Sequence, residues 1–258
     1  MFENVKGILS DIDGTLYFKG QHTPGAIEAV SKIRKKGIKL LFFTNTDSKS
    51  PQTVYKTLTN YGFEVDYDEI YTPIIALKEF LNENLDKKSY FITTKEVEAE
   101  FEEFPKVEGS EVPDFVILCD FHDDWDVKRL NQAFKYVLKG AKLIGSQGNI
   151  YYLDRNGEPV LDTGSFVQML SNASNSSAEI FGKPSKHFFS QALKKINLDK
   201  NEVVVVGDDP FSDIQGALKA GLKGILVRTG KGKSYEDSSI TIKPNLIIEN
   251  FSMILNYI

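Results

Sequence analysis

The sequence holds one cysteine, Cys119, one tryptophan and three histidines among 258 residues. A lone cysteine excludes an internal disulfide and fits a reducing compartment. Histidines at positions 22, 122 and 187 are too dispersed to point to a histidine metal centre. No stretch reaches the roughly 18 apolar residues of a membrane span. The first apolar run begins within about ten residues of Met1 without a basic flank or a long apolar core, so no signal peptide is expected. The net charge is −5, with lysines scattered among Asp and Glu, which argues against a nucleic-acid footprint. With 41% hydrophobic and 26% charged residues, the composition is that of a globular protein with room for one large domain or two small ones. These absences predict a cytoplasmic protein with neither nucleic acid nor membrane as partner.

What the chain has in quantity is alternation. Thr23-Pro24, Ser50-Pro51 and Thr72-Pro73 each open a predicted helix, the first two closed by Gly37 and Gly62. Strands are predicted at 40–43, 90–92, 115–118, 142–144, 150–153, 203–206, 224–227 and 246–248, with 40–43, 115–118 and 203–206 read as buried. This alternation implies an α/β protein with a mainly parallel, doubly wound (Rossmann-like) sheet. Val203 to Val206 is apolar at every position, as a central strand covered on both faces requires. The acidic segment 96–126 encloses a buried strand with no place in the first sheet. The core is therefore assigned to residues 1–75 and 179–258, with an inserted second unit over 76–178.

Chemistry concentrates where strands end. Asp11 and Asp13 follow the run Gly7-Ile8-Leu9, two positions apart, so both acids address the carboxyl end of the strand, where open α/β sheets bind ligands. Two such carboxylates repel unless one holds a proton or a cation sits between them. Beside a hard cation Asp11 is a nucleophile, and Asp13 with a raised pKa is a general acid and base. Thr44 and Asn45 offer a hydroxyl and an amide to a phosphoryl oxygen. Lys183, in Gly182-Lys183-Pro184, supplies positive charge. Gly207-Asp208-Asp209 with Asp213 places three acids in one loop, either a helix cap or a cation site; Asp208 is read as a magnesium ligand and Asp213 as cap and outer support.

In order and spacing these motifs resemble the haloacid dehalogenase-like hydrolase superfamily. The insertion between Thr44-Asn45 and Lys183 resembles its NagD-like branch, with an α/β cap at that point. Gly182-Lys183-Pro184-Ser185, Asp208-Asp209 and the run Asp123-Asp124-Trp125-Asp126 resemble the phospholysine phosphohistidine inorganic pyrophosphate phosphatase group most. The resemblance implies that Asp11 takes the phosphoryl group as an aspartyl phosphate while Asp13 protonates the leaving oxygen and then activates water. It implies that Thr44, Asn45 and Lys183 hold the phosphoryl group, and that Mg²⁺ binds Asp11, the Asp13 carbonyl and Asp208, with Asp209 and Asp213 behind. The expected activity is Mg²⁺-dependent hydrolysis of a small phosphorylated metabolite. A phosphosugar mutase and a catalytically idle binding protein on the same fold are the alternatives. Cap loops 120–126, 145–150 and 162–166 are the candidates for reading the leaving group, and a homodimer paired through the caps is compatible with the branch.

Overall fold

A computed structural model describes residues 2, 4–122, 126–154, 156–236 and 243–258. The first part of the chain runs β1 (Gly7–Ser10), the hairpin β2 (Tyr17–Phe18) and β3 (Gln21–His22), α1 (Ala26–Lys35), β4 (Lys39–Phe43), α2 (Pro51–Asn60), β5 (Ile70–Tyr71) and α3 (Pro73–Asn82). The middle runs β6 (Ser89–Ile92), α4 (Lys95–Ala99), β7 (Phe115–Leu118), α5 (Val127–Leu138), β8 (Lys142–Gly145), the hairpin β9 (Tyr151–Leu153) and β10 (Pro159–Leu161), α6 (Thr163–Ser174) and β11 (Ala178–Ile180). The last part runs α7 (Lys186–Ile196), β12 (Val203–Gly207), α8 (Gly216–Lys219), β13 (Lys223–Val227) and β14 (Leu246–Ile248). Among the described residues no helix is long and apolar enough to cross a membrane.

Six strands form one parallel sheet in the order β14-β13-β12-β1-β4-β5. In register, Leu9 lies between Leu41 and Val205, and all three enter one apolar cluster. Their neighbours Ile8, Leu40 and Val204 enter another on the opposite face. Alternation of apolar residues into two cores is what makes these strands read as unbroken hydrophobic runs. The chain leaves β1 toward β4 and β5 on one side and later fills β12 to β14 on the other. The strand order thus reverses beside β1, which places a ligand crevice at the carboxyl ends of β1, β4 and β12.

A second parallel sheet, β11-β8-β7-β6, takes in the strand at Phe115–Leu118, and the β9–β10 hairpin forms a two-stranded sheet of its own. One apolar cluster is continuous from Leu9 and Phe43 through Phe181 to Phe115 and Ile117, so the two sheets share a packed seam. The expected division points at 75/76 and 178/179 fall inside α3 and β11 rather than between elements. Ala178-Glu179-Ile180 is a half-buried edge strand, whose mixed polarity gives the sequence no marker for where the second sheet stops.

Two of the three expected helix caps form: Thr53 N–H donates to Ser50 Oγ at 3.1 Å and Ile75 N–H to Thr72 Oγ1 at 3.4 Å. The first does not. α1 starts at Ala26 behind Gly25, because the Thr23 hydroxyl is engaged by the carbonyls of Thr15 and Leu16 at 2.9 and 3.2 Å. Asp126 caps α5 through Lys128 N–H at 2.7 Å, whereas Asp123, Asp124 and Trp125 lie outside the described residues.

Beneath the crevice, Phe188 stacks on Phe43 at 4.5 Å and on Tyr71 at 5.1 Å between ring centroids, with all three side chains fully buried. Phe188→Ala removes the middle ring of this stack and leaves a cavity, for which we expect a loss of about 3–5 kcal/mol in urea unfolding. A loss below about 1 kcal/mol would show that the aromatic floor is not a principal packing contact.

Candidate active site

Asp11 follows β1 directly, and its N–H donates to Val206 O at 2.8 Å, so the sheet ladder continues one residue into the site. Its side chain is buried, with Oδ1 2.7 Å from Lys183 Nζ and Oδ2 accepting from Thr15 Oγ1 at 3.0 Å. Burial raises the Asp11 pKa and Asp13 adds to the rise, against the opposing pull of Lys183 and Thr15. Asp13 lines the same cavity but is exposed, its Oδ2 accepting from Thr46 Oγ1 at 3.0 Å. The two acids therefore share a crevice in unlike surroundings, one dry and charge-paired, the other at the mouth.

Lys183 is 2% exposed. Its ammonium contacts Asp11, Asp213 Oδ1 at 2.7 Å and Phe43 O at 3.0 Å, and lies 5.5 Å from the centre of the Phe43 ring. Burial alone would lower its pKa, but the two carboxylates outweigh that and raise it, so the lysine stays charged. Its backbone is pinned reciprocally by Asn45, with Asn45 Nδ2 donating to Lys183 O at 2.9 Å and Lys183 N–H donating to Asn45 Oδ1 at 2.7 Å. The Asn45 side-chain amide thus holds the lysine, because the Thr44-Asn45 loop and the Gly182-Lys183 loop lie against each other, and Asn45 also lines the crevice. Thr44 is buried in the crevice wall, its Oγ1 2.9 Å from Thr46 Oγ1.

From the end of β12, Asp208, Asp209 and Asp213 diverge. Oxygens of Asp11, Asp208 and Asp213 lie within 4.8 Å of one another. Asp208 Oδ2 accepts from Lys231 N–H at 2.7 Å. Asp208 is also packed against Gly14, which has φ +86° and whose Cβ, were there one, would stand 2.3 Å from Asp208 Oδ2. Only glycine allows that conformation and that approach. Burial, followed by the charges of Asp11, Asp213 and Asp209, raises the Asp208 pKa well above the usual range; burial likewise lifts Asp213 to about 7, against the pull of Lys183. Three buried carboxylates sharing one lysine are short of positive charge, and a hard-oxygen set of this kind fits a divalent cation such as Mg²⁺.

The roles expected for Asp209 and Asp213 are rearranged. Asp209, not Asp213, caps the π-helical turn Pro210–Gln215, accepting from Phe211 and Ser212 N–H at 2.8 and 3.1 Å. Its other oxygen pairs with Lys231 Nζ at 2.7 Å; burial pushes its pKa up, but Lys231 and the two backbone donors hold it below the usual value. Asp213 reaches back to Asp209 N–H at 3.0 Å and meets Lys183 directly. It thus adjoins the charge cluster and holds the lysine there.

A cavity of about 500 Å³ covers the site, and all three candidate cap loops contribute to it through Asp120, Gln147, Asn149 and Asp162. The Asp162 carboxyl is raised to about 6, chiefly by burial, against the Thr163 N–H bond. The sequence reading missed Asp47 and Lys231, which also line this space. Lys231 lies just past β13, so the end of a fourth parallel strand was a usable signal. A lone Asp in a Thr-Asn-Thr-Asp loop carried none.

A family model described as haloacid dehalogenase-like hydrolase matches residues 8–105, and a second of the same kind matches residues 180–254. The chain is 32% identical to haloacid dehalogenase-like hydrolase domain-containing protein 2 of Bos taurus, with 98% of this chain and 96% of that protein covered. It is 29% identical to the phospholysine phosphohistidine inorganic pyrophosphate phosphatase of Homo sapiens, covering 96% and 92%. Its fold superposes on NagD of Escherichia coli K-12 with a TM-score of 0.83 at 26% identity, covering 96% and 97%. With this likeness along nearly its whole length and the charge cluster at the strand ends, the chain belongs to the haloacid dehalogenase-like hydrolase family, in its NagD-like branch, and is a phosphoric monoester hydrolase.

Proposed function

We propose that the protein is a Mg²⁺-dependent phosphatase that hydrolyses small phosphorylated metabolites through an aspartyl-phosphate intermediate. The observation that carries this reading is the Lys183 ammonium held 2.7 Å from both Asp11 and Asp213, beside Asp208 at the reversal point of the sheet. Asp11, Asp208 and the Asp13 carbonyl would hold the cation, with Asp213 completing the cluster. Bound there, Mg²⁺ supplies charge neutralisation that brings a phosphate dianion up to a carboxylate.

The chain's own groups account for the remaining chemistry. Thr15 and Lys183 fix the Asp11 carboxylate, which attacks phosphorus as the bond to the leaving oxygen breaks. Asp13, at the mouth, donates a proton to that oxygen. It then takes one from a water that attacks the aspartyl phosphate, releasing inorganic phosphate and restoring Asp11. Thr44 and Lys183 face the transferring oxygens, where fixed positive charge and donors act most strongly in a dry site. A cavity of about 500 Å³, partly open to solvent, suits a small phosphorylated substrate. A cytoplasmic setting is supported by Cys119, which is buried and has no second cysteine to pair with.

Asp11→Asn is expected to lower Mg²⁺-dependent turnover of p-nitrophenyl phosphate by at least about 10³-fold while leaving the circular dichroism spectrum unchanged. Retained activity would overturn the nucleophile assignment. Release of inorganic phosphate, rather than transfer to a second hydroxyl of a phosphosugar, separates hydrolysis from mutase chemistry.

Stability should also depend on pH and cation together. With Asp11, Asp208 and Asp213 titrating above their unfolded values, the metal-free native state binds more protons than the unfolded chain from about pH 4 upward. It therefore loses stability as pH rises toward and past 7. Saturating Mg²⁺ is expected to raise Tm by roughly 5 °C or more at pH 8 and by clearly less at pH 5. Asp208→Asn should abolish most of the shift. Equal shifts at both pH values, or a shift untouched in Asp208→Asn, would remove the cluster as the cation site.

A further inference from the structure

Asp47 lies two residues past Asn45, on the loop that leaves β4, and is 3% exposed. Its Oδ2 receives three hydrogen bonds, each from a different loop of the second sheet. Asp120 N–H, just after β7, donates at 3.1 Å; the Ser146 hydroxyl, just after β8, donates as well; and Thr163 Oγ1, at the start of α6, donates at 2.7 Å. These loops carry Asp120, Gln147, Asn149 and Asp162, which form the cavity wall across from the charge cluster.

Two of the loops are also locked to each other. Gln147 Nε2 donates to Asp162 Oδ1 at 2.6 Å, and a Cβ on Gly164 would stand 2.5 Å from Gly148 O. Farther along the same loop from β4, Thr94 Oγ1 donates to Ser48 O at 3.0 Å and Ser50 N–H to Glu96 Oε1 at 2.8 Å. The segment that begins at the phosphoryl-facing Thr44 is thus joined to the cap, and Asp47 is where the wall-forming loops converge. Thr44 and Asn45 are held independently, Thr44 N–H by Tyr71 O at 3.2 Å and Asn45 by the Lys183 backbone.

We propose that Asp47 is the positioning residue that fixes the leaving-group wall over the phosphoryl site, so that it governs binding of the alcohol part of the substrate and not of the phosphate. The kinetic side of this rests on the phosphatase reading above; the structural side does not. An acceptor at Oδ2 is what the three donors require, so Asn serves in its place and Ala does not.

Three readouts test it on the full chain. Asp47→Ala is expected to raise KM for p-nitrophenyl phosphate about tenfold while the inhibition constant of inorganic phosphate stays within about twofold, since phosphate touches only the independently held groups. Asp47→Asn should return KM to within about threefold of the unaltered protein. Hydrogen exchange at the Asp120 amide should speed up about tenfold or more in Asp47→Ala and not in Asp47→Asn. If Asp47→Ala does not fold, the double variant Ser146→Ala with Thr163→Val removes two donors from the cap side and should give the same split. Parallel rises in KM and the phosphate constant, no change in either, or an Asn variant that behaves like Ala would each overturn the proposal. A protein that does not turn over p-nitrophenyl phosphate would count against the phosphatase reading alone, and the exchange at Asp120 would then decide the role of Asp47.

Discussion

The ammonium of Lys183 stands 2.7 Å from a carboxylate oxygen of Asp11 and 2.7 Å from one of Asp213, with all three side chains almost fully buried. Ions taken out of water are costly unless they are paired and hydrogen-bonded. The site meets that requirement in part. Thr15, Asp209 N–H and Phe43 O satisfy atoms of the trio, yet Asp208 adds a further buried acid that makes no ion pair among the described residues. The elements around the site can be read as consequences of this shortage of positive charge. Asn45 pins the lysine backbone, Gly14 leaves room for Asp208, and Lys231 is drawn to Asp209. Such a cluster is an expensive way to stabilise a fold, and under the proposed function its rationale is an anionic guest and a cation that complete the balance.

The fold locates this cluster and shields it. Strand order reverses beside β1, so Asp11, Thr44 and Asp208 meet at one crevice although they come from separate stretches of chain. The aromatic floor of Phe43, Phe188 and Tyr71 excludes water from below the lysine and lets its charge act at short range. From above, the second sheet shares an apolar seam with the first, and polar ties cross between them at Asp47, at Lys231 to Tyr151 O and at Lys19 to Asn156 O. Core and cap thus meet both through packing, which is indifferent to direction, and through hydrogen bonds, which fix it.

Much of this was legible before any coordinates, for a definite reason. β1, β4, β12 and β13 are buried on both faces and read as apolar runs, while Ser50 and Thr72 carry the helix-start chemistry that their side chains perform. Asp11 and Asp208 each follow such a run, and that position sends them to the crevice, whereas Lys183 follows the half-buried β11 and is brought there by the contact of its loop with Asn45. Thr23 shows the limit of the rule. The same Thr-Pro signal precedes α1, but the carbonyls of the Thr15-Leu16 loop engage the hydroxyl instead. Asp209 and Asp213 show another limit, since of two acids four residues apart it is Asp209 that caps the turn while Asp213 faces Lys183.

The amino-acid sequence by itself determined the alternating architecture, the strand ends and the kind of chemistry they bear, because periodicity and turn residues act over a few positions. Only the tertiary structure decided that Asn45 serves the lysine, that Asp213 joins the charge cluster and that Asp47 gathers the cap. The partners of Asp47 are 73, 99 and 116 residues distant along the chain. A contact of that separation is set by how two sheets pack, and no local pattern of residues encodes it.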